Sequence, residues 1–192
     1  MPKGLTPRCT GLAFGEPVNS NVRPLSNLPC TPMSDKTPLL LRAAEIKDKE
    51  RAFSHPWNSN SSVSTAFLGR TLGLRRSGVN ITRVAPGKES FLPHSHQREE
   101  EWVYVLVGRG IAEIDGNEYD VGPGDFMAFP APSVVHHLRN PYTEELVYLM
   151  GGENLEFEIE DFPSVGKRML RRGAQVEIYN STDAKPFGPI EV

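Results

Sequence analysis

The chain has 192 residues, of which 38% are apolar and 23% are charged, and its formal net charge is −3. This length and balance predict one globular domain with appendages, without the basic surface of a nucleic-acid-binding protein or an apolar run long enough to span a bilayer. Seventeen glycines and seventeen prolines imply many turns and short elements. We therefore expect a soluble, all-β protein that contacts neither nucleic acid nor a membrane.

Residues 1–38 are rich in proline and lack apolar periodicity, which predicts a disordered or loosely draped tail. Its two cysteines, Cys9 and Cys30, lack the spacing of a zinc or redox site and are expected to be ordinary thiols. Basic residues exceed acidic ones ahead of Met33, so an organelle-targeting peptide stays open, as does a start at Met33 itself. A cytoplasmic location is the simpler expectation, because the tail has no apolar signal-peptide core.

Residues 39–76 are predicted to form an N-terminal arm and a loop ahead of the core. The apolar run Leu39–Ile46 fits either an edge strand or a helix that starts at Pro38, because a run this short does not separate the two. Residues 47–66 are polar, which favours a surface loop. His55 lies in this loop and is predicted to be a surface residue.

Residues 77–152 are predicted to form the core, because six or seven short apolar segments alternate there with turn signals. Asp115-Gly116 is a favoured hairpin turn, and Gly122-Pro123-Gly124-Asp125 is a second turn. No long helix interrupts the segments, so they indicate a sandwich or a closed barrel. The pattern weakens in residues 153–192, which are predicted to form a C-terminal arm packed on the outside.

Three histidines and one glutamate of this core suggest a metal site: His94, His96, Glu101 and His136. Alternate residues of an extended segment share a face, so the imidazoles of His94 and His96 point the same way, about 7 Å apart along the chain. That spacing suits two imidazole ligands on one ion. An ordinary core or surface role would explain any one of these histidines, but it explains the joint arrangement poorly.

The segment that follows places alternate residues on opposite faces. Glu101 shares its face with the valines that are expected to line the barrel interior, which places its carboxylate inside as well. Those valines are Val103, Val105 and Val107, and the outward residues are Trp102, Tyr104 and Leu106. The outward side chains need cover, which predicts a homodimer unless the C-terminal arm covers them.

His136 alternates with Val134 and Leu138 and is therefore predicted to face inward as the fourth ligand. His137 falls on the other face and is predicted to be a rim or surface residue. Residues 98–100 are predicted to form a solvated loop. Four residues are candidates for the pocket lining, although ordinary core positions explain them equally well: Phe126, Phe129, Tyr148 and Met150.

These residues resemble the two sequence signatures of the cupin superfamily. The first is Gly87-(six residues)-His94-x-His96-(four residues)-Glu101-(six residues)-Gly108, and the second is Gly124-(five residues)-Pro130 followed by His136-(three residues)-Asn140. The likeness covers roughly residues 70–165 and is closest to small single-domain cupins, a branch that is mostly uncharacterised. Two departures, a first gap that is one residue longer than usual and Pro132 with an extra residue in place of a glycine, fall in loops, so the fold is expected to be retained.

The resemblance implies a double-stranded β-helix, that is, an all-β jelly-roll barrel over residues 77–152. It also implies that His94, His96, Glu101 and His136 hold one divalent ion. The mixed nitrogen and oxygen donors suit iron, manganese, nickel, cobalt, copper or zinc. Four protein ligands on a six-coordinate ion leave two positions open, as catalytic metal sites do. No catalytic residue separable from the ligands is predicted.

Three classes of function follow from such a site. The first is a metal-dependent oxidoreductase or dioxygenase acting on a small oxygenated molecule, with isomerase, lyase or decarboxylase chemistry open in the same site. The second is a non-enzymatic protein that binds or senses a small molecule. The third is an ion that only stabilises the barrel, which ranks last because structural sites usually have closed shells. The fold alone does not choose among them.

Overall fold

The computed structural model describes residues 38–185 and Gly188. The tail predicted to be disordered, with Cys9 and Cys30, lies outside the described residues apart from Pro38. The described part consists mainly of short antiparallel strands, as the frequent glycine and proline turns predict, together with two short α-helices. None of its helices has the length and apolar character that a bilayer crossing requires.

The α-helices are α1 (Ala43–Asp48) and α2 (Leu68–Thr71). The first seven strands are β1 (Arg51–Phe53), β2 (Val63–Phe67), β3 (Ser77–Val84), β4 (Lys88–Glu89), β5 (Ser95–His96), β6 (Glu101–Val107) and β7 (Gly110–Ile114). The next seven are β8 (Asn117–Val121), β9 (Phe126–Phe129), β10 (His136–Asn140), β11 (Leu146–Glu153), β12 (Phe157–Phe162), β13 (Lys167–Arg172) and β14 (Gln175–Asn180).

Two of the sheets enclose the core. A six-stranded sheet has the order β1-β2-β3-β11-β6-β9, and a four-stranded sheet has the order β4-β10-β7-β8. One cluster of buried side chains fills the space between them, with β2, β3, β6, β9 and β11 contributing from the first sheet and β7, β8 and β10 from the second. The expected all-β jelly-roll barrel is therefore confirmed.

The chain after β11 forms a third sheet, with the order β14-β13-β12-β5. The region predicted as a C-terminal arm thus consists of regular strands. Its first strand, β12, pairs directly with β5 and places Glu160 opposite His96. An ion pair between Arg171 of β13 and Glu99 fastens this sheet to the loop before β6.

The N-terminal segment is more regular than the sequence predicts. Of the two structures that fit Leu39–Ile46, the helix is present in part, because α1 begins at Ala43 rather than at Pro38 and ends at Asp48. The surface loop predicted for residues 47–66 is wrong, because β1 lies within it and β2 begins in it, with Val63 buried in the core. β2 is not evident in the sequence because it contains polar residues that are buried in the fold. The hydroxyl group of Thr65 is buried against that of Thr82 on β3, 3.1 Å away.

Strand β6 follows the predicted alternation for most of its length. The residues that obey it are the buried Val103 and Val105 and the outward Trp102, Tyr104 and Leu106. Val107, expected inside, is 56% exposed. The register against β11 shifts between Val147 and Tyr148, and such an irregularity breaks the two-residue period. The homodimer predicted from the outward face stays a prediction.

Three other positions differ from expectation in their exposure to solvent. His137, expected at the rim or surface, is 7% exposed, since β10 is paired on both sides and β4 brings Glu89 to 3.8 Å from its Nε2 atom. Val134 precedes β10 and is exposed rather than inward. Glu99 is buried rather than solvated, because Arg171 pairs with it.

Candidate metal centre

Four side chains from separate segments meet beside the core. His94 lies just before β5, His96 ends β5, and Glu101 and His136 are the first residues of β6 and β10. The backbones of His94 and His136 bind each other in both directions, with N–H to carbonyl distances of 3.1 and 2.8 Å. The structure therefore brings together all four residues selected from the sequence.

The spacing of the donor atoms fits one small cation. All four lie within 4.8 Å of one another. The Nε2 atoms of the histidines lie 3.0, 3.4 and 3.9 Å from Oε2 of Glu101, in the order His136, His96 and His94. Two ligands bound to one ion at about 2.1 Å are roughly 3 Å apart at right angles and about 4.2 Å apart when opposite. The distances to Glu101 fall within that interval.

Backbone carbonyls hold the outer ring nitrogens of two histidines. Nδ1 of His94 lies 2.7 Å from the carbonyl oxygen of Leu92, and Nδ1 of His136 lies 3.0 Å from that of Val134. A neutral imidazole that donates its Nδ1 proton to a carbonyl leaves the Nε2 lone pair free for an ion. The backbone thus favours, for both rings, the tautomer that a metal ligand needs.

Aromatic rings hold the same two imidazoles in place. The ring of Phe129 stacks on that of His136, with centroids 3.8 Å apart and planes 7° apart. Phe162 lies against His94 at 5.8 Å, with planes 23° apart. Phe129 belongs to β9 and Phe162 to β12, so strands from two sheets restrict the orientation of the candidate ligands.

Burial and neighbouring charges give the side chains of the site different pKa values and therefore different protonation states. Burial lowers the pKa of His94 to about 3, so this ring is neutral near pH 7. Burial also disfavours the charged form of His96, but the Glu101 carboxylate and two further acidic groups outweigh it and raise the pKa of His96 to about 9. Burial would raise the pKa of Glu101, yet contacts with His136 and His96 hold that pKa well below its usual range.

Strand β12 adds three residues that the sequence does not predict to be part of the site: Glu158, Glu160 and Phe162. They alternate along the strand and therefore share a face. Glu158 is fully buried, with its Oε1 atom 3.6 Å from Nδ1 of His96. Burial raises the pKa of Glu160 to about 7. The alternation of Glu158, Glu160 and Phe162 is the one sequence signal for this face, and nothing local connects it with His96.

A cluster of aromatic rings adjoins His94. Phe91 and Phe162 both contact its ring, and His55 and Trp57 pack against Phe162. The surface position expected for His55 is wrong, because these rings leave it half-buried, and burial lowers its pKa to about 4. The loop before β2 and the end of β12 thus form an aromatic wall beside the candidate ligands.

A cavity of about 30 Å³ lies against the site, and its lining includes His94, Glu101 and His136. Space of this size holds about one water molecule. The other lining residues are Ser90, Phe91, Val103, Phe129, His137, Leu138, Tyr148 and Met150. Three of the four pocket-lining candidates are therefore confirmed, whereas Phe126 does not line this cavity and is 62% exposed on β9.

Comparison with known proteins identifies the family. The Cupin_2 family model, described as a cupin domain, matches residues 80–152, which contain all four candidate ligands. A solved structure from Acidithiobacillus ferrooxidans is 35% identical and superposes with a TM-score of 0.75, over 79% of this chain and 97% of the other. This chain belongs to the cupin superfamily.

Two solved relatives of this cupin carry an activity in their names. The Acidithiobacillus ferrooxidans protein is named, provisionally, as a sugar phosphate isomerase. A sugar phosphate isomerase from Silicibacter pomeroyi is 28% identical, with a TM-score of 0.61 over 66% of this chain and 80% of the other. A germin-like protein (subfamily 2 member 3) of Arabidopsis thaliana is 35% identical over 94 residues, 43% of this chain and 42% of the relative. The chain spans less than half the length of the curated relatives it matches.

Proposed function

We propose that this protein is a cupin enzyme that binds one divalent ion through His94, His96, Glu101 and His136 and isomerises a small sugar phosphate. The observation that carries the metal site is the convergence of one donor atom from each of these four residues, all within 4.8 Å of one another. Two of the rings have their Nδ1 atoms against carbonyls, which leaves Nε2 as the donor. The donor set suits iron, manganese, nickel, cobalt, copper or zinc.

The reaction class is supported by the Acidithiobacillus ferrooxidans cupin, which is 35% identical over 79% of this chain and carries that activity in its provisional name. Interconversion of an aldose and a ketose moves a hydrogen between adjacent carbons and a proton between their oxygens. When bound, a divalent ion supplies a Lewis acid for those oxygens. The chain's own contribution is to orient the ligand rings through Phe129 and Phe162 and to limit water through the apolar lining.

The phosphate group of such a substrate is expected to lie outside the small cavity. Among the described residues, the cavity lining contains no lysine or arginine. Lys167, at the start of β13, places its Nζ atom 5.9 Å from the centroid of the Trp57 ring, which belongs to the aromatic wall beside His94. A substrate that extends from the ligands along this wall would bring its phosphate towards Lys167.

A second candidate is an oxidoreductase or dioxygenase that acts on a small, uncharged, oxygenated molecule through the same four ligands. The mainly apolar lining, without a cationic side chain among the described residues, favours it. Such a surface suits an aromatic or enol substrate better than it suits a phosphate.

The first experiment measures the metal content of the purified wild-type protein and of the His94→Ala/His136→Ala double variant. We expect one ion per chain in the wild type and none above background in the variant, which lacks two imidazole donors. Glu177→Gln, a change of an acid on β14 far from the four ligands in sequence, serves as the control and should retain the ion.

The second experiment separates the two reactions. Metal-free protein is reloaded with each of the six ions and incubated with aldose and ketose phosphates, and NMR follows their interconversion, which supports the isomerase whether the hydrogen moves as a proton or as a hydride. Oxygen uptake with phenolic or enol substrates, without such interconversion, would replace it by the dioxygenase. Tight metabolite binding without any product would indicate a binding protein instead. Failure of the wild type to bind any of the ions would refute the metal site.

A further inference from the structure

Glu158 is a buried acid that the proposed function does not yet use. Its side chain has 0% exposure, and its Oε1 atom accepts the backbone N–H groups of Gln97 at 2.9 Å and Arg98 at 3.2 Å. Its Oε2 atom has no hydrogen-bond partner among the described residues, and neither has Nδ1 or Nε2 of His96. Unpaired polar atoms are costly to bury, so the unpaired atoms of Glu158 and His96 require a physical cause.

His96 differs from the other two histidines in what faces its Nδ1 atom. Nδ1 of His94 and of His136 each lies within hydrogen-bond distance of a carbonyl two residues earlier in the chain. Nδ1 of His96 instead faces Oε1 of Glu158, 3.6 Å away on β12. The third ring therefore meets a carboxylate where the other two meet a neutral amide oxygen.

We propose that Glu158 is a positioning residue for His96, an inference that rests on the proposed metal site. The carboxylate attracts the Nδ1 proton of the ring, so that Nε2 is presented towards Glu101, 3.4 Å away. A carboxylate behind a ligand histidine fixes the tautomer and makes the ring a stronger donor. Together with Glu101 it also supplies two negative charges, which balance the charge of a divalent ion.

The fold supports both members of this contact from the backbone. The pairing of β12 with β5 sets the two strands side by side, and the N–H groups of Gln97 and Arg98 hold the carboxylate. The hydroxyl group of Ser133 accepts the N–H of His96 at 2.8 Å, and the N–H of Ser133 donates to the carbonyl of His96 at 2.7 Å. Backbone hydrogen bonds on both sides of His96 thus hold its ring beside the Glu158 carboxylate.

A merely structural role for Glu158 would consist of accepting the two loop N–H groups. Glu158→Gln separates that role from positioning, because the amide oxygen can still accept those N–H groups while the negative charge is lost. Glu177→Gln is the matched control, since it removes the same charge from a residue outside the site.

The test measures Zn(II) affinity by competition with a chelator near neutral pH. We expect Glu158→Gln to weaken binding by about 10- to 100-fold and Glu177→Gln to leave it within about twofold. In a His96→Ala background the change at Glu158 should have little further effect, because it acts through that ring. Wild-type affinity in Glu158→Gln, or an undiminished loss in the His96→Ala background, would overturn the inference.

A second measurement uses only the wild-type protein and so does not depend on the folding of a variant. In the Zn(II)-loaded protein, the Nδ1 proton of His96 should resonate further downfield in the NMR spectrum than those of His94 and His136, because a carboxylate is the stronger acceptor. A His96 signal at or upfield of the other two would contradict the inference while leaving the metal site intact. A wild type that binds no divalent ion would refute the proposed function, and this inference with it.

Discussion

Glu101 is the side chain on which the charges of the site depend. Its Oε2 atom lies within 3.9 Å of all three imidazoles. In the metal-free protein, burial keeps His94 neutral, whereas His96, with a pKa of about 9, carries a proton at neutral pH. Nε2 of His96 cannot bind an ion while it is protonated, so ion binding must displace that proton.

The apparent affinity for a divalent ion is therefore expected to rise with pH. Release of the His96 proton increases the affinity by up to about tenfold per pH unit below its pKa of about 9, and the rise levels off above it. Ionisation of Glu160, with a pKa of about 7, also raises the affinity for the ion as the pH rises. His94, with a pKa of about 3, is already neutral in this range and does not change the affinity with pH.

Chelator competition between about pH 6 and about pH 8 measures this slope. His96→Ala is the informative variant, because it removes the titrating ring and should flatten the profile while weakening binding. A wild-type affinity that does not change over this range, or an unchanged slope in His96→Ala, would show that His96 is not the group that loses the proton.

The four candidate ligands can be predicted from the sequence, whereas the place of Glu158 in the site cannot. The pair His94 and His96 has the two-residue period of an extended segment, and the parity of Glu101 follows from the valines beside it. The link between Glu158 and His96 depends on the pairing of β12 with β5, two strands far apart in the chain. The sequence of either strand does not indicate its partner, because a short strand accepts polar and apolar residues on both of its faces.

Two turns of the barrel differ in how closely other segments enclose them. Gly108, between β6 and β7, and Gly116, between β7 and β8, have nearly equal positive φ angles of +72° and +74°. A methyl group on Gly108 would overlap the carbonyl oxygen of Glu145 and lie 2.9 Å from its carbonyl carbon. A methyl group on Gly116 would meet nothing within 4 Å. Two glycines with nearly the same φ angle thus differ in the space around them, since Gly108 is tightly enclosed and Gly116 is not.

Gly108→Ala is expected to destabilise the protein much more than Gly116→Ala. Both changes place a side chain on a left-handed residue, which costs roughly 1–2 kcal/mol. Gly108→Ala adds an overlap with backbone atoms that no side-chain rotation relieves, worth a further 1–3 kcal/mol or so. Urea unfolding of the metal-free protein measures both losses. Equal losses would mean that the segment before β11 does not pack on the β6–β7 turn.

Strands bounded by strong turn residues were predicted well, and strands with polar faces were not. β7 and β8 were found because Asp115-Gly116 marks the hairpin between them. The sequence predicts a loop at β2 because residues 47–66 are polar, and the buried face of this strand includes Thr65, whose hydroxyl group is paired inside the barrel. The sequence predicts an arm at β12 because the strand pattern weakens after Gly152, and Glu158 and Glu160 stand where apolar residues would indicate a strand. In both cases tertiary contacts satisfy polar groups that the sequence alone leaves unexplained.

The proposed ligands join all three sheets of the molecule. His96 belongs to β5 in the third sheet, Glu101 to β6 in the six-stranded sheet and His136 to β10 in the other four-stranded sheet. The bridge between His94 and His136 connects the segment before β5 with β10 as well. An ion held by these residues would therefore cross-link parts of the fold that separate when the chain unfolds.

Ion binding is therefore expected to raise the melting temperature of the described fold as a unit. At a free concentration about a thousand times its dissociation constant, an ion that binds only the folded chain stabilises it by about 4.1 kcal/mol. In a domain of this size that corresponds to roughly 8–16 °C. The His94→Ala/His136→Ala variant should show no rise over its own metal-free melting temperature, a comparison that cancels the cost of the lost side chains. Amide hydrogen exchange shows which sheets the ion stabilises. An ion bound by all four ligands must slow the opening of every sheet it joins, so protection gained in one sheet alone would contradict the cross-link.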